Sequence, residues 1–281
     1  MTRPEFLPRL NIIGAGRAGR TLVRAWHEAG VVNVGEVLNR SLASAQAACD
    51  FIGAGCAVAS HAELKPADLW LLATQDGLLA EQAAWLATSG LLRAGDGVLH
   101  LSGFSSSALL AACAAQPGVR VASAHPVLSF ATPERARTQL RGSLCGVEGD
   151  PHLSEQLQQL FASIGVECFG VSAANKPLYH AGSVFAANFL VVIIEQARQA
   201  YLAAGVPEAI AERLLAPLAR NALDNVLTQG GATALTGPAA RGDYDLIAAQ
   251  HAAVSHWDEL SGNTYKVLTE QALRLADRAK I

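Results

Sequence analysis

From Arg9 to about Ser172, short apolar runs alternate with stretches whose apolar positions recur at helical spacing. The first run, Leu10 to Ile13, enters a glycine turn. Beyond it Thr21, Leu22, Ala25 and Trp26 share one helical face, and Arg20, Arg24 and Glu28 the other. A second run covers Val34 to Leu38. Cys56 to Ala59, Asp68 to Ala73, Gly97 to Leu101 and Arg120 to Ala124 read as the third to sixth strands, with helical segments such as Leu79 to Ala87 between them. Two more, near Leu144 to Val147 and Val166 to Val171, flank a helix that begins after Pro151. Strands and helices in this order predict an α/β fold: a doubly wound Rossmann domain with a mostly parallel sheet.

After Ala173 the strand signals cease. Lys176 to Ala204, closed by Gly205, is a long helical pattern, and Pro207 to Gln229 is a second. A Gly/Pro loop, Gly230 to Gly242, leads to helices over Tyr244 to Trp257 and Glu259 to Ala279. The chain is therefore expected to divide into an α/β domain at 1–172 and an all-α domain at 173–281, joined closely enough to share a cleft.

Composition narrows the functional classes. With 281 residues, 51% hydrophobic and 16% charged, the chain can bury a core in each domain. A net charge of −3, with no basic run interleaved with aromatics, gives no electrostatic case for nucleic acid or an anionic membrane. Met1 to Pro8 carries charges and two prolines and reads as neither a signal peptide nor an anchor. The most apolar segment, Val184 to Ile194, looks too short to span a bilayer and contains Asn188. Cys49, Cys56, Cys113, Cys145 and Cys168 show no metal-ligand spacing, which suggests reduced core thiols, no metal site and a cytoplasmic protein.

The glycine turn carries the clearest chemistry. Gly14-Ala15-Gly16-Arg17-Ala18-Gly19 has the G-x-G-x-x-G spacing between a strand and a helix. Gly14 allows the tight turn, Gly16 lets backbone approach a pyrophosphate, and Gly19 lets helix and strand pack closely. The helix start then offers free N–H groups and its positive dipole end to phosphate. At the end of the second strand stand Asn39, Arg40 and Ser41, where an NAD site would place a carboxylate on the ribose 2′-hydroxyl. Arg40 and Ser41 suit a 2′-phosphate, so NADP is favoured over NAD; the plainer reading of Arg40 is a solvated surface side chain. Ligands in such folds lie beyond the carboxyl ends of the strands, which adds Thr74 and Ser102 to the expected cofactor contacts.

Three further segments offer groups for a reaction. His125-Pro126, opening the stretch to Phe130, follows the sixth strand; it could move a proton or simply bond a loop carbonyl. Lys176-Pro177 begins a helix, because Pro177 fits only a first turn. Lys176 there meets an unfavourable dipole that should lower its pKa and suit it to donate a proton. His180 and Ser183 share its face, Asn188 lies further along, and the plain alternative is a solvated lysine with an internally bonded histidine. Between later helices, Arg241 could clamp a carboxylate; Asp243 fits a helix N-cap, and His251 and Ser255 follow one turn apart.

His100-Leu101-Ser102-Gly103, the His125-Pro126 segment, Lys176 to Asn188, and Ala234 to Asp243 with His251 together resemble a bacterial family of NADP-dependent reductases. Members of that family join a Rossmann-like domain to a C-terminal helical domain of unknown function. The wider group includes ketopantoate reductases, pyrroline-5-carboxylate reductases, 6-phosphogluconate and β-hydroxyacid dehydrogenases, and prephenate dehydrogenases. Resemblance to the hydroxyacid branch implies Lys176 as proton donor, with His180 where those enzymes carry Asn. His125-Pro126 resembles the active-site segment of prephenate dehydrogenases.

The resemblance implies hydride transfer from NADPH to a small 2-oxo acid or imine, with ketopantoate the most specific candidate. Lys176, His180 and His125 would be catalytic, and Ser183, Asn188, Arg241 and His251 would bind substrate. It also implies a homodimer through the helical domain. Two other readings stay open at this point: a non-catalytic NADP(H) sensor, and a deazaflavin-dependent NADP oxidoreductase.

Overall fold

The computed structural model describes residues 7–128, 130, 132 and 137–278. Ser129 and Ala279, which fall within two of the predicted segments, lie outside the described residues, as do Met1 to Phe6. The chain separates into two compact units, Met1–Ser183 and Val184–Ile281. The division falls beyond the expected junction at 172/173, because the helix starting at Lys176 is anchored on the first unit's sheet.

The first unit is an eight-stranded sheet in the order β3-β2-β1-β4-β5-β6-β7-β8. Its strands are β1 (Arg9–Ile13), β2 (Asn33–Leu38), β3 (Cys56–Val58), β4 (Leu69–Leu72), β5 (Gly97–His100), β6 (Arg120–Pro126), β7 (Leu144–Gly149) and β8 (Glu167–Gly170). All neighbours are parallel except β6 and β7. The reversal sets Gly146 opposite His125 and Glu148 opposite Ser123. Alternate residues of the central strands enter two cores. Leu10, Ile12, Leu69 and Leu71 pack with Trp26 and Phe161 on one face, while Ile13, Trp70 and Leu72 pack with Leu79 and Leu86 on the other. Helices α1 (Arg17–Glu28), α2 (Leu42–Ile52), α3 (Asp76–Thr88), α4 (Ala111–Ala114) and α5 (Pro151–Ser163) supply the covering side chains. Every described thiol is free. Cys49, Cys113 and Cys145 are buried as expected, but Cys56 is exposed.

The second unit is all helical. The long helix expected from Lys176 to Ala204 is one helical run that begins in the first unit, with α6 (Lys176–Ser183), a π-helical stretch (Val184–Phe189) containing Asn188, and α7 (Leu190–Ala203) in succession. The long helices α8 (Glu208–Gln229), α9 (Tyr244–Trp257) and α10 (Glu259–Arg278) follow the predicted spans. Two short helical turns, Gly231–Ala234 and Pro238–Arg241, occupy what read as a plain loop. Among the described residues of this unit only Ala211, Gly262 and Ala276 are buried, whereas Val191, Leu227 and Leu260 are each about 70% exposed or more.

The apolar segment Val184 to Ile194 is longer in its structural setting than its own eleven residues suggest. It belongs to a helical run, Ala173–Ala203, with an 18-residue window of mean hydropathy 1.6 and no part of that window buried. By length and composition this run is able to cross a membrane. Its start is nonetheless tied to the sheet through Lys176.

Candidate active site

The glycine turn is built as its spacing predicts. Gly14 has φ +87°, and a Cβ there would meet the Thr74 backbone and methyl group at 2.5–2.8 Å. At Gly19 a Cβ would strike Ala73 and Ile12, each at 2.9 Å, so this glycine lets α1 lie on the sheet. A Cβ at Gly16 meets nothing within 4 Å. Gly16 thus faces open space at the start of α1. Helix α1 starts from Gly16 with no side-chain cap and no acidic residue in its first turn. The amides of Ala18 and Gly19 in that turn are consequently available to an anion. Arg17 is exposed and Ala18 half-buried at this start.

At the end of β2, Asn39 Oδ1 accepts from Ala15 N at 2.6 Å and its amide donates to Ser44 O. Asn39 therefore braces the glycine turn, and its side chain is engaged within the protein. Arg40 is exposed, and Ser41 caps α2 by accepting from Ser44 N, which leaves its hydroxyl proton free to donate. The carboxylate of β2, Glu36, is buried and bound to Arg9 at 2.8 Å. The hydroxyl of Thr74, below Gly14, is buried with no partner among the described residues.

Beyond β5 the loop from Ser102 to Ser107 is held at several points. Ser102 Oγ donates to Asp76 Oδ2 at 2.7 Å and accepts from the amides of Phe104 and Ser105. His100 is fully buried. Its Nδ1 accepts from Ser102 N, so its Nε2 donates to Ser106 O. Glu148 accepts from both the amide and the hydroxyl of Ser107.

Lys176 lies beneath this loop, 1% exposed. Its ammonium donates to Ser102 O at 2.8 Å and to Ser123 Oγ, with Glu148 Oε1 at 3.7 Å. Two of its donors are thus hydrogen-bonded within the protein, and the carboxylate completes an ion pair. Burial holds its pKa below the ordinary lysine value, and Glu148 pulls the other way. This corrects the expected picture of a lysine presented to substrate and perturbed by the helix dipole: desolvation is the cause, and the ammonium is internal.

What remains at the surface of the loop is a cluster of rings. His125 Nδ1 lies 2.9 Å from Tyr179 Oη, with the rings edge to face at 5.5 Å. The His180 ring approaches His125 at 5.7 Å, also edge to face. Both imidazoles close on Gly103, where a Cβ would sit 2.5 Å from His180 Cδ2 and 2.8 Å from His125 Nε2. Burial lowers the His125 pKa to about 4, with the electrostatic influence of His180 and Lys176 acting in the same sense. Ser183 is half-buried on the α6 face that carries Lys176 and His180, as its spacing predicts.

Three of the expected substrate contacts belong to the second unit. Asn188 and Arg241 are exposed, the latter ending a helical turn capped by Gly242. His251 stacks on Tyr265 at 6.4 Å in a hollow also lined by Lys266 and Glu270. Asp243 caps α9 as expected, accepting from Leu246 N.

Sequence reasoning missed Tyr179, Glu148, Ser123 and Asp76. The available signal for Glu148 was a carboxylate ending an otherwise apolar strand, which is costly unless paired.

Comparisons with known proteins agree with this architecture. The Rossmann-like domain family matches residues 3–126, and the domain of unknown function DUF2520 matches residues 143–272. A Thermotoga maritima protein of known structure is similar over 97% of this chain and 100% of its own, with TM-score 0.74 and 23% identity. An NADP oxidoreductase candidate from Bacteroides fragilis gives TM-score 0.76 at 18% identity, covering 95% of this chain and 98% of its own. The reductive aminase of Aspergillus terreus, solved with NADPH and ethyl-5-oxohexanoate, gives 0.61 at 19%, covering 98% and 94%. At these identities the likeness speaks for the fold. No curated protein matches the sequence.

Proposed function

Because the chain joins a Rossmann-like domain to a DUF2520 domain, we propose that it is an NADP-dependent oxidoreductase acting on a small 2-oxo acid or imine, with ketopantoate the most specific candidate. One observation carries the reading: an open cradle at Gly16 and the start of α1, flanked by Arg40 and Ser41 with no free carboxylate at the end of β2. The α1 amides would hold the pyrophosphate. The Arg40 guanidinium and the Ser41 hydroxyl would hold the 2′-phosphate. Thr74 offers an unpartnered hydroxyl below Gly14, and the Ser102 loop forms a rigid floor. Bound NADPH supplies the hydride. His125 and His180 would be the groups offered to the acceptor atom, and Lys176 keeps the floor in place from below. The NADP-binding and oxidoreductase descriptions of structural neighbours favour the same chemistry.

We also infer a homodimer through the helical unit, whose apolar side chains are too exposed to be stable in water without a cover.

Calorimetry with each coenzyme tests the cofactor. Arg40→Glu should weaken NADPH binding at least roughly 10-fold, as expected for loss of a charge-assisted contact, while sparing NADH. Equal losses would remove the 2′-phosphate role, and no heat with either coenzyme would overturn the reading. Oxidation of NADPH against 2-oxo acids, ketopantoate and cyclic imines then identifies the acceptor.

A further inference from the structure

Tyr179 touches the imidazole of His125 at the carboxyl end of β6. Its ring is held edge to face by His125 on one side and by Phe169, at 6.1 Å, on the other. Its hydroxyl sits over Gly146, where any Cβ would come within 2.8 Å of Oη. Gly146 is the residue paired with His125 across the antiparallel strands, so the absent side chain makes room for the phenol. Gly103 makes the corresponding room for the two imidazoles. Two glycines on two elements thus let three rings close over the loop.

We propose that Tyr179 is a positioning residue: its O–H donates to His125 Nδ1, fixes the ring as the Nε2–H tautomer, and so aims an N–H donor at the hydride acceptor. This rests on the reductase reading above. A phenol is a stronger acid than a neutral imidazole N–H, so of the two groups the phenol is the donor. The proton of an imidazole then resides on the nitrogen whose partner nitrogen accepts the bond. Burial keeps the phenol protonated, with a pKa near 12, and keeps the imidazole neutral at ordinary pH. Nε2 has no hydrogen-bond partner among the described residues and lies against Gly103, at the carboxyl edge of the sheet.

The donor selects its substrate. A carbonyl oxygen offers a lone pair to Nε2–H and gains charge as hydride arrives. A protonated iminium instead presents an N–H of its own and no lone pair, so Nε2–H has nothing on it to bond. The geometry therefore favours 2-oxo compounds over iminium ions.

Long-range nitrogen–proton correlation spectra of histidine-labelled protein read the tautomer directly, with His125→Gln assigning the signal. At pH 7 we expect a bare, hydrogen-bonded Nδ1 and a protonated Nε2. In Tyr179→Phe the Nδ1 signal should lose its hydrogen-bond shift and the second tautomer should appear, while NADPH fluorescence titration is unchanged. A protonated Nδ1 in the parent protein, or an unaltered spectrum in Tyr179→Phe, would overturn the proposal. If neither protein binds NADPH, the reductase reading fails while the tautomer result still decides the Tyr179 bond. With an accepted 2-oxo acid, Tyr179→Phe should lower kcat roughly 10- to 100-fold with KM held, the scale of a misplaced catalytic group. Turnover confined to protonated cyclic imines would overturn the donor assignment.

Discussion

His125 holds a proton far less readily than a histidine in water, and that difference is a statement about stability. Its folded pKa is depressed from 6.5 to about 4, first by burial and then by His180 and Lys176, with Asp76 opposing. The unfolded chain takes up this proton below about pH 6.5, whereas the folded chain does not until about pH 4. The contribution is therefore complete above the unfolded value and is lost as pH falls from 6.5 toward 4. The slope is at most about 1.4 kcal/mol per pH unit for one such group. Thermal melts between pH 7 and pH 4.5 should show this loss, and His125→Gln should flatten it. His100, lowered by burial in the same sense, leaves a remainder in the variant. A melting profile identical in parent and variant would contradict the depressed value.

The loop after β5 shows how far an element's order is set by residues distant in the chain. Lys176 reaches it from 74 positions away and Glu148 from 41. In Lys176→Met, Glu148 stays buried without its cation, a change that costs about 3 kcal/mol or more. Denaturant melts should register that loss, and amide exchange at Phe104 and Ser105 should quicken as Ser102 loosens. Unchanged exchange there would mean that Asp76 and Glu148 hold the loop without help from Lys176.

The same loop marks the limit of what can be read from the chain. Gly14 and Gly19 announced their roles, because backbone conformation and close packing are local demands. The strands, and α9 to the residue, were legible from periodicity for the same reason. Tyr179 and Glu148 were not, because both depend on β7 running against β6, and apolar periodicity carries no strand direction. Lys176 misled for a different reason. A helix start next to proline reads as a lysine perturbed by the dipole and open to substrate, whereas the assembled Ser102–Ser123–Glu148 environment draws the ammonium inside.

Taken together, the two units solve the problem of burial differently. The first encloses its apolar strands between two layers of helices, so its stability is its own. The second has three buried residues among those described and long helices that leave Phe185, Val191 and Leu218 more than half exposed. If a second copy covers them, folding of that unit becomes a second-order event. Its unfolding midpoint should then rise with protein concentration, while a first-order transition from the sheet unit stays put. Melts across a hundredfold dilution, alongside light-scattering mass, would separate the two. A single midpoint indifferent to dilution, with the mass of one chain, would leave the helices without the cover inferred for them. In such a dimer, every tenfold dilution would act as a mild denaturant on one half of the chain and spare the coenzyme cradle in the other.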